Sequence, residues 1–133
     1  DHYEEGTWTP TISFDDAAVS LAYGVRYARY TKVGNVVHAS AYVSLTNKGS
    51  SVGSAKLGGL PFAAVNVTGN YQATTFWASA VSCSGFLQAY ISLGQSFVQL
   101  QEATTGGTNS NLTNADFANN SEVMINVSYA TSS

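Results

Sequence analysis

Residues 27–45 read Tyr27-Ala28-Arg29-Tyr30-Thr31-Lys32-Val33-Gly34-Asn35-Val36-Val37-His38-Ala39-Ser40-Ala41-Tyr42-Val43-Ser44-Leu45. Gly followed by Asn between two alternating runs specifies a two-residue type II′ hairpin turn, because the first central position needs a positive φ that glycine adopts freely. A turn of that length fixes the register: Val33 opposite Val36, Thr31 opposite His38, Arg29 opposite Ser40 and Tyr27 opposite Tyr42. Side chains alternate across a strand, so Ala28, Tyr30, Val37, Ala39, Ala41, Val43 and Leu45 share one face and are assigned to the core.

The same logic places a second hairpin at Gly94-Gln95, with Leu93 opposite Ser96, Ile91 opposite Val98 and Ala89 opposite Leu100. Its outer face then displays Phe86, Gln88 and Tyr90 beside Phe97, Gln99 and Gln101, a surface of amides and aromatic rings. Further strands are read over residues 7–14, 53–57, 71–82 and 122–130, which brings the total to about eight. Helical periodicity is almost absent. Short alternating runs punctuated by Gly, Asn and Ser are the pattern of an all-β antiparallel sandwich, jelly-roll-like, and 133 residues suit a single domain, 1–133.

Residues 103–121 turn to Thr, Gly and Asn, a span too long for an ordinary connection and expected to be an ordered, exposed loop. Thr113 and Asp116 have capping-box spacing, so one helical turn near residues 115–118 is predicted to anchor it through Phe117. Residues 47–54 form a second polar loop.

Charged residues make up only 10% of the chain, against roughly 25% in ordinary soluble domains, while aromatics reach 12% with eight tyrosines. The exterior is therefore neutral and polar, suited to sugars or to identical subunits without stripping water from many charges. A net charge of −3 leaves no basic stripe for a phosphate backbone, so nucleic acid is not an expected partner. No apolar run approaches a membrane span and none is flanked like a signal segment, so membrane insertion is not expected.

The acids Glu4 with Glu5 and Asp15 with Asp16 are sequence neighbours at strand ends, where carboxylates diverge into solvent instead of flanking one glycosidic bond. Cys83 with His2 and His38 lacks any nucleophile motif, and the thiol is expected to be buried and inert, with His38 outward across from Thr31. No metal-ligand spacing occurs, and neither a cofactor nor an enzymatic activity is expected. The four Asn-x-Ser/Thr triplets follow from composition.

Sugar recognition needs a flat ring for the apolar face of a pyranose and amides or hydroxyls for its edge. The candidates are Trp77, Tyr71, Tyr90, Gln88 and Gln99. Tyr71, Ala73, Thr75 and Trp77 fall on one side of a strand, with Trp77 read as core or subunit interface ahead of ligand contact. Arg26 and Arg29 beside Tyr27 fit an acidic sugar or an intersubunit ion pair, and both stay open.

Three blocks in order, Tyr3-Glu4-Glu5-Gly6-Thr7-Trp8-Thr9-Pro10, Arg29-Tyr30-Thr31-Lys32-Val33-Gly34-Asn35-Val36-Val37 and Gly59-Leu60-Pro61-Phe62, resemble the carboxy-terminal domain of bacteriophage tail fibres and tailspikes. The first block reads as the point where a linker stops and β-structure begins, so the chain is expected to be a piece of a longer fibre or tailspike, with residues 1–6 as the junction to an upstream shaft. The resemblance implies a homotrimeric tip domain on the virion tail that helps bind a host cell-surface polysaccharide or lipopolysaccharide. Trp8, Tyr27, Arg29 and Tyr42 are the corresponding junction and trimer candidates. The competing readings are a trimerisation cap that binds no ligand and, third, a polysaccharide depolymerase.

Overall fold

The computed structural model describes residues 3–132. Among them are eleven β-strands and a single 3-10 turn, with no α-helix. The strands form two antiparallel sheets. The first has the order β1 (Tyr3–Thr7), β3 (Ala22–Val33), β4 (Val36–Asn47), β11 (Phe117–Ala130) and β7 (Phe76–Val81). The second runs β2 (Thr11–Phe14), β5 (Ala55–Gly58), β9 (Val98–Ala103), β8 (Phe86–Ile91) and β6 (Gln72–Thr74), with β10 (Asn109–Asn111) also on β9. One core lies between them, a sandwich arrangement.

The first hairpin pairs in the register that its turn dictates, Tyr27 with Tyr42, Arg29 with Ser40, Thr31 with His38 and Val33 with Val36. Gly34 takes φ +60°, the conformation that this turn requires of its first central residue. Ala28, Val37, Ala39, Ala41, Val43 and Leu45 are all buried. From the second sheet Ile12, Phe14, Leu57, Ile91, Val98 and Leu100 meet them, each at most 1% exposed. Phe14 and Phe117 pack edge to face across the core, their centroids 5.3 Å apart.

Three expected elements differ. The expected strand 7–14 is divided: Thr7 ends β1 in one sheet and Thr11–Phe14 form β2 in the other, because Pro10 is buried and offers no N–H for a continuous ladder. Residues 71–82 likewise cross between sheets: β6 pairs with β8 and β7 with β11, and the Thr74 hydroxyl donates to the Asn126 carbonyl at the crossing. The strand count therefore exceeds the expected eight. The hairpin at Gly94 keeps its register, Ala89 opposite Leu100, but its strands end at Ile91 and Val98. Its loop is wider because the Gln95 and Ser96 carbonyls accept the Ala64 and Leu60 N–H groups instead of closing on the hairpin itself.

The capping box forms as its spacing predicts, but the expected loop 103–121 is shorter: it contains β10, the turn comes at Asn114–Asp116 instead of 115–118, and β11 already begins at Phe117. Thr113 accepts from Ala115 N and Asp116 accepts from Thr113 N around the 3-10 turn Asn114–Asp116. Lys48 donates to the Asn114 and Phe117 carbonyls, fastening the 47–54 loop to the same turn.

Of the expected junction, residues 1–6, the first two lie outside the described residues and the rest belong to β1, an edge strand on β3 with Gly6 opposite Tyr30 and Glu4 opposite Lys32. Trp8 is a core residue at the crossing into β2: it is 9% exposed, and its indole N–H donates to the Arg29 carbonyl at 3.0 Å. Its fastening role is thus internal to this domain.

Candidate functional site

The outer face of the second sheet carries a groove of about 810 Å³. The β6–β8–β9 register builds it. Ala73 lies opposite Tyr90, and Gln88 lies opposite Gln101. A small residue between Tyr71 and Tyr90 leaves room for a ligand, and Thr75 and Asn109 complete the lining. Tyr71 is 55% exposed and Tyr90 half-buried, so one ring stands free while the other is braced by its strand. Gln101 donates through Nε2 to Asn111 Oδ1 at 2.9 Å, which orients its amide oxygen. Hydroxyl and amide groups line the groove, with no carboxylate, guanidinium or ammonium among them.

Of the sequence-derived sugar candidates, Tyr71, Tyr90 and Gln88 come together here. Gln99 does not: it is 7% exposed, and its amide donates to the Ala55 carbonyl at 3.0 Å, so it serves the β5–β9 junction. Trp77 belongs to the other sheet, 49% exposed beside Met124 and Asn126, which excludes the core reading for it. Gln101 and Asn109 take the vacated places. Gln101 was legible from its alternation with Gln99, and Asn109 only from the polar loop that β10 folds back onto β9.

The outer face of the first sheet is a second surface. Trp77, Met124, Tyr42 and Tyr27 are register partners in one continuous row across β7, β11, β4 and β3. Tyr42 donates to Glu122 at 2.5 Å, and this bond to a carboxylate raises its pKa. Tyr30 has the opposite, core-facing parity; it is half-buried at the β1 edge, where its hydroxyl bonds Glu4 at 2.7 Å and its pKa is raised for the same reason. Arg29 shares the face of Tyr27, whereas Arg26 has the opposite parity and its guanidinium stacks on the Tyr23 ring at 4.1 Å. The two arginines therefore do not form a joint carboxylate clamp.

Below that row, Ser128 Oγ and His38 Nδ1 are 2.5 Å apart across β11 and β4, in a depression of about 380 Å³. Glu5 lies in the same cross-strand row but two strands from His38. At strand spacing that is roughly 10 Å, too far to orient the imidazole as a third catalytic member. Three further acids hold structural partners: Glu102 accepts from Ser84, Asp116 from Thr113 N, and Asp16 pairs with Lys56 at 2.9 Å. Cys83, expected in a buried strand position, is exposed in the turn after β7, because the strand ends at Val81. His2 lies outside the described residues. Among the described residues no group of His, Cys, Asp and Glu could hold a metal ion, and no helix is long and apolar enough to cross a membrane.

No protein-family model, no curated protein and no solved structure matches the chain.

Proposed function

We propose that this chain is the carboxy-terminal tip domain of a bacteriophage tail fibre or tailspike, trimeric on the virion tail, and that it binds host cell-surface glycan without cleaving it. The observation that carries the binding assignment is the uncharged groove in which Tyr71 and Tyr90 flank Ala73 beside Gln88 and Gln101. Rings for the apolar face of a pyranose stand next to amides for its hydroxyls, and the lack of a cationic lining favours neutral sugars over acidic ones. The three blocks of the tail-fibre resemblance support the phage assignment. Each site is shallow and weak alone, and threefold display raises avidity where linker geometry allows joint engagement.

The test is a glycan array of capsular and lipopolysaccharide fragments. Binding is expected, and Tyr90→Ala should weaken any hit by about tenfold, the loss of roughly 1.4 kcal/mol from one stacked ring and its hydrogen bonds. Absence of binding to every host-derived glycan would leave a trimerisation cap, the reading favoured by the exposed row Tyr27, Tyr42, Met124 and Trp77. Release of oligosaccharide from intact polysaccharide by the isolated chain would instead establish a depolymerase.

A further inference from the structure

The geometry points to the outer face of the β1-β3-β4-β11-β7 sheet as the surface that packs against further copies of this chain, with the row Tyr27, Tyr42, Met124 and Trp77 as its apolar centre. This rests on the trimer reading above and assigns the face that the trimer uses.

The row is a consequence of register alone: Tyr27 lies opposite Tyr42, Tyr42 opposite Met124, and Met124 opposite Trp77. Tyr27 is 57% exposed, Trp77 49% and Met124 44%, so three large side chains in line stay largely wet in a single copy. A second apolar row closes the hairpin end of the same face, where Val33 lies opposite both Val36 and Tyr3. Between the two rows run Ser40, Asn126, Thr31, His38 and Ser128, all uncharged polar residues, with Arg29 and Glu5 at the β1–β3 end. An exposed row of large apolar side chains of this kind marks an interaction surface.

Charge and geometry select the occupant. With β1 five residues long and β7 six, the face covers roughly 600 Å² at ~4.8 Å strand spacing and ~3.3 Å rise, an area that a ring shares between two neighbours. The outward charges of this face are Glu5 on β1 and Arg29 on β3, toward one flank, and Glu122 on β11, toward the other. Arg29 makes no ion pair among the described residues, and Glu122 accepts only the Tyr42 hydroxyl. A ring of copies joins unlike flanks, so the β3 side of one meets the β11–β7 side of the next and turns Arg29 toward the neighbour's Glu122. A glycan would gain nothing from Met124 at the centre of the row, since a thioether offers no donor to sugar hydroxyls.

The test measures mass in solution for three forms of the chain: unaltered, Met124→Arg, and Gln88→Arg as a control in the groove of the other sheet. Trimers are expected for the unaltered chain and the control, and monomers for Met124→Arg with its circular dichroism unchanged. A Met124→Arg trimer would overturn the face assignment and leave the trimer reading standing, whereas a monomeric unaltered chain would overturn both. A cross-linking arm covers the case of Met124→Arg failing to fold. In a Cys83→Ser background, Tyr27→Cys and Trp77→Cys are combined in one chain and oxidised. The two positions lie three strands apart, roughly 14 Å by strand spacing and beyond the ~7 Å Cα separation that a disulfide spans, so any bond joins different copies. Covalent oligomers are expected, and their absence would overturn the assignment.

Discussion

The ring of Tyr30 meets Phe62 edge-on, with centroids 5.5 Å apart and planes at 82°. The contact joins two blocks 32 residues apart in sequence, and a third closes on it from the N-terminal side. Glu4 accepts the Tyr30 hydroxyl, Gly6 lies under the Tyr30 ring, and Trp8 donates to the Arg29 carbonyl. Tyr129 completes the corner by donating to the Phe62 carbonyl at 2.8 Å. The segments that carry the tail-fibre resemblance therefore converge on one corner of the sandwich, where they hold β1 and the 59–64 segment against the sheet. Their role here is architectural, while the groove is built by residues beyond Phe62.

Tyr129 makes this corner sensitive to alkali. Burial pushes its hydroxyl up to about 12 from 10.0, only partly offset by its bond to Phe62. A raised folded pKa means that the native state keeps the proton when the unfolded chain has lost it. The stabilisation is fully present below pH 10 and is lost as pH rises through 12. Denaturant midpoints measured across this range should decline, and Tyr129→Phe should flatten that decline while lowering the neutral-pH stability by about 1–2 kcal/mol, because the Phe62 carbonyl loses its donor.

Gly59 opens the last of the converging blocks at φ +86°, and a Cβ there would sit 2.1 Å from the Thr9 carbonyl oxygen. Neither the conformation nor the space admits a side chain. Gly59→Ala should cost about 3 kcal/mol, read as a lowered melting temperature. Gly107 also has positive φ, +89°, but meets nothing within 4 Å, so Gly107→Ala should cost only about 1 kcal/mol.

The hairpin at Gly34-Asn35 could be read to the residue because turn chemistry and alternation are local: one turn type sets the register and the register sets the core. The capping box at Thr113 and Asp116 was legible for the same reason. What alternation does not encode is which sheet a strand joins. Residues 7–14 alternate without a break, and in 71–82 the alternation falters at Thr74-Thr75 and Phe76-Trp77-Ala78 without saying which sheet the second half joins; the crossings depend on long-range partners such as the Asn126 carbonyl. Gln99 shows the same limit at the groove. It has the parity of an outward residue, yet the Ala55 carbonyl 44 positions away claims its amide. Tyr71, Tyr90 and Gln88 were found because their surroundings are mostly the neighbouring strand.

The two tryptophans should report separately. Trp8 is enclosed within one chain, whereas Trp77 is half open. In Trp77→Phe, the emission remaining from Trp8 should be blue-shifted, resistant to acrylamide and independent of protein concentration. Trp8→Phe should lower stability by about 2 kcal/mol, because the smaller ring leaves a void and the Arg29 carbonyl unpaired.

Gln99 and Gln88 offer the sharpest contrast, since they have the same outward parity on adjacent strands and differ in what their amides do. Truncating Gln99 removes the donor to a carbonyl in a buried setting, so Gln99→Ala should destabilise by about 2 kcal/mol in chemical denaturation. Gln88 lines the groove, and Gln88→Ala should change stability by less than about 0.5 kcal/mol. Glycan affinity should respond in the opposite sense, with Gln88→Ala weakening binding several-fold and Gln99→Ala retaining it at temperatures where the variant is folded. Equal losses of affinity in the two would mean that the groove depends on the β5–β9 junction as a whole, and a loss confined to Gln99→Ala would move the ligand away from β8.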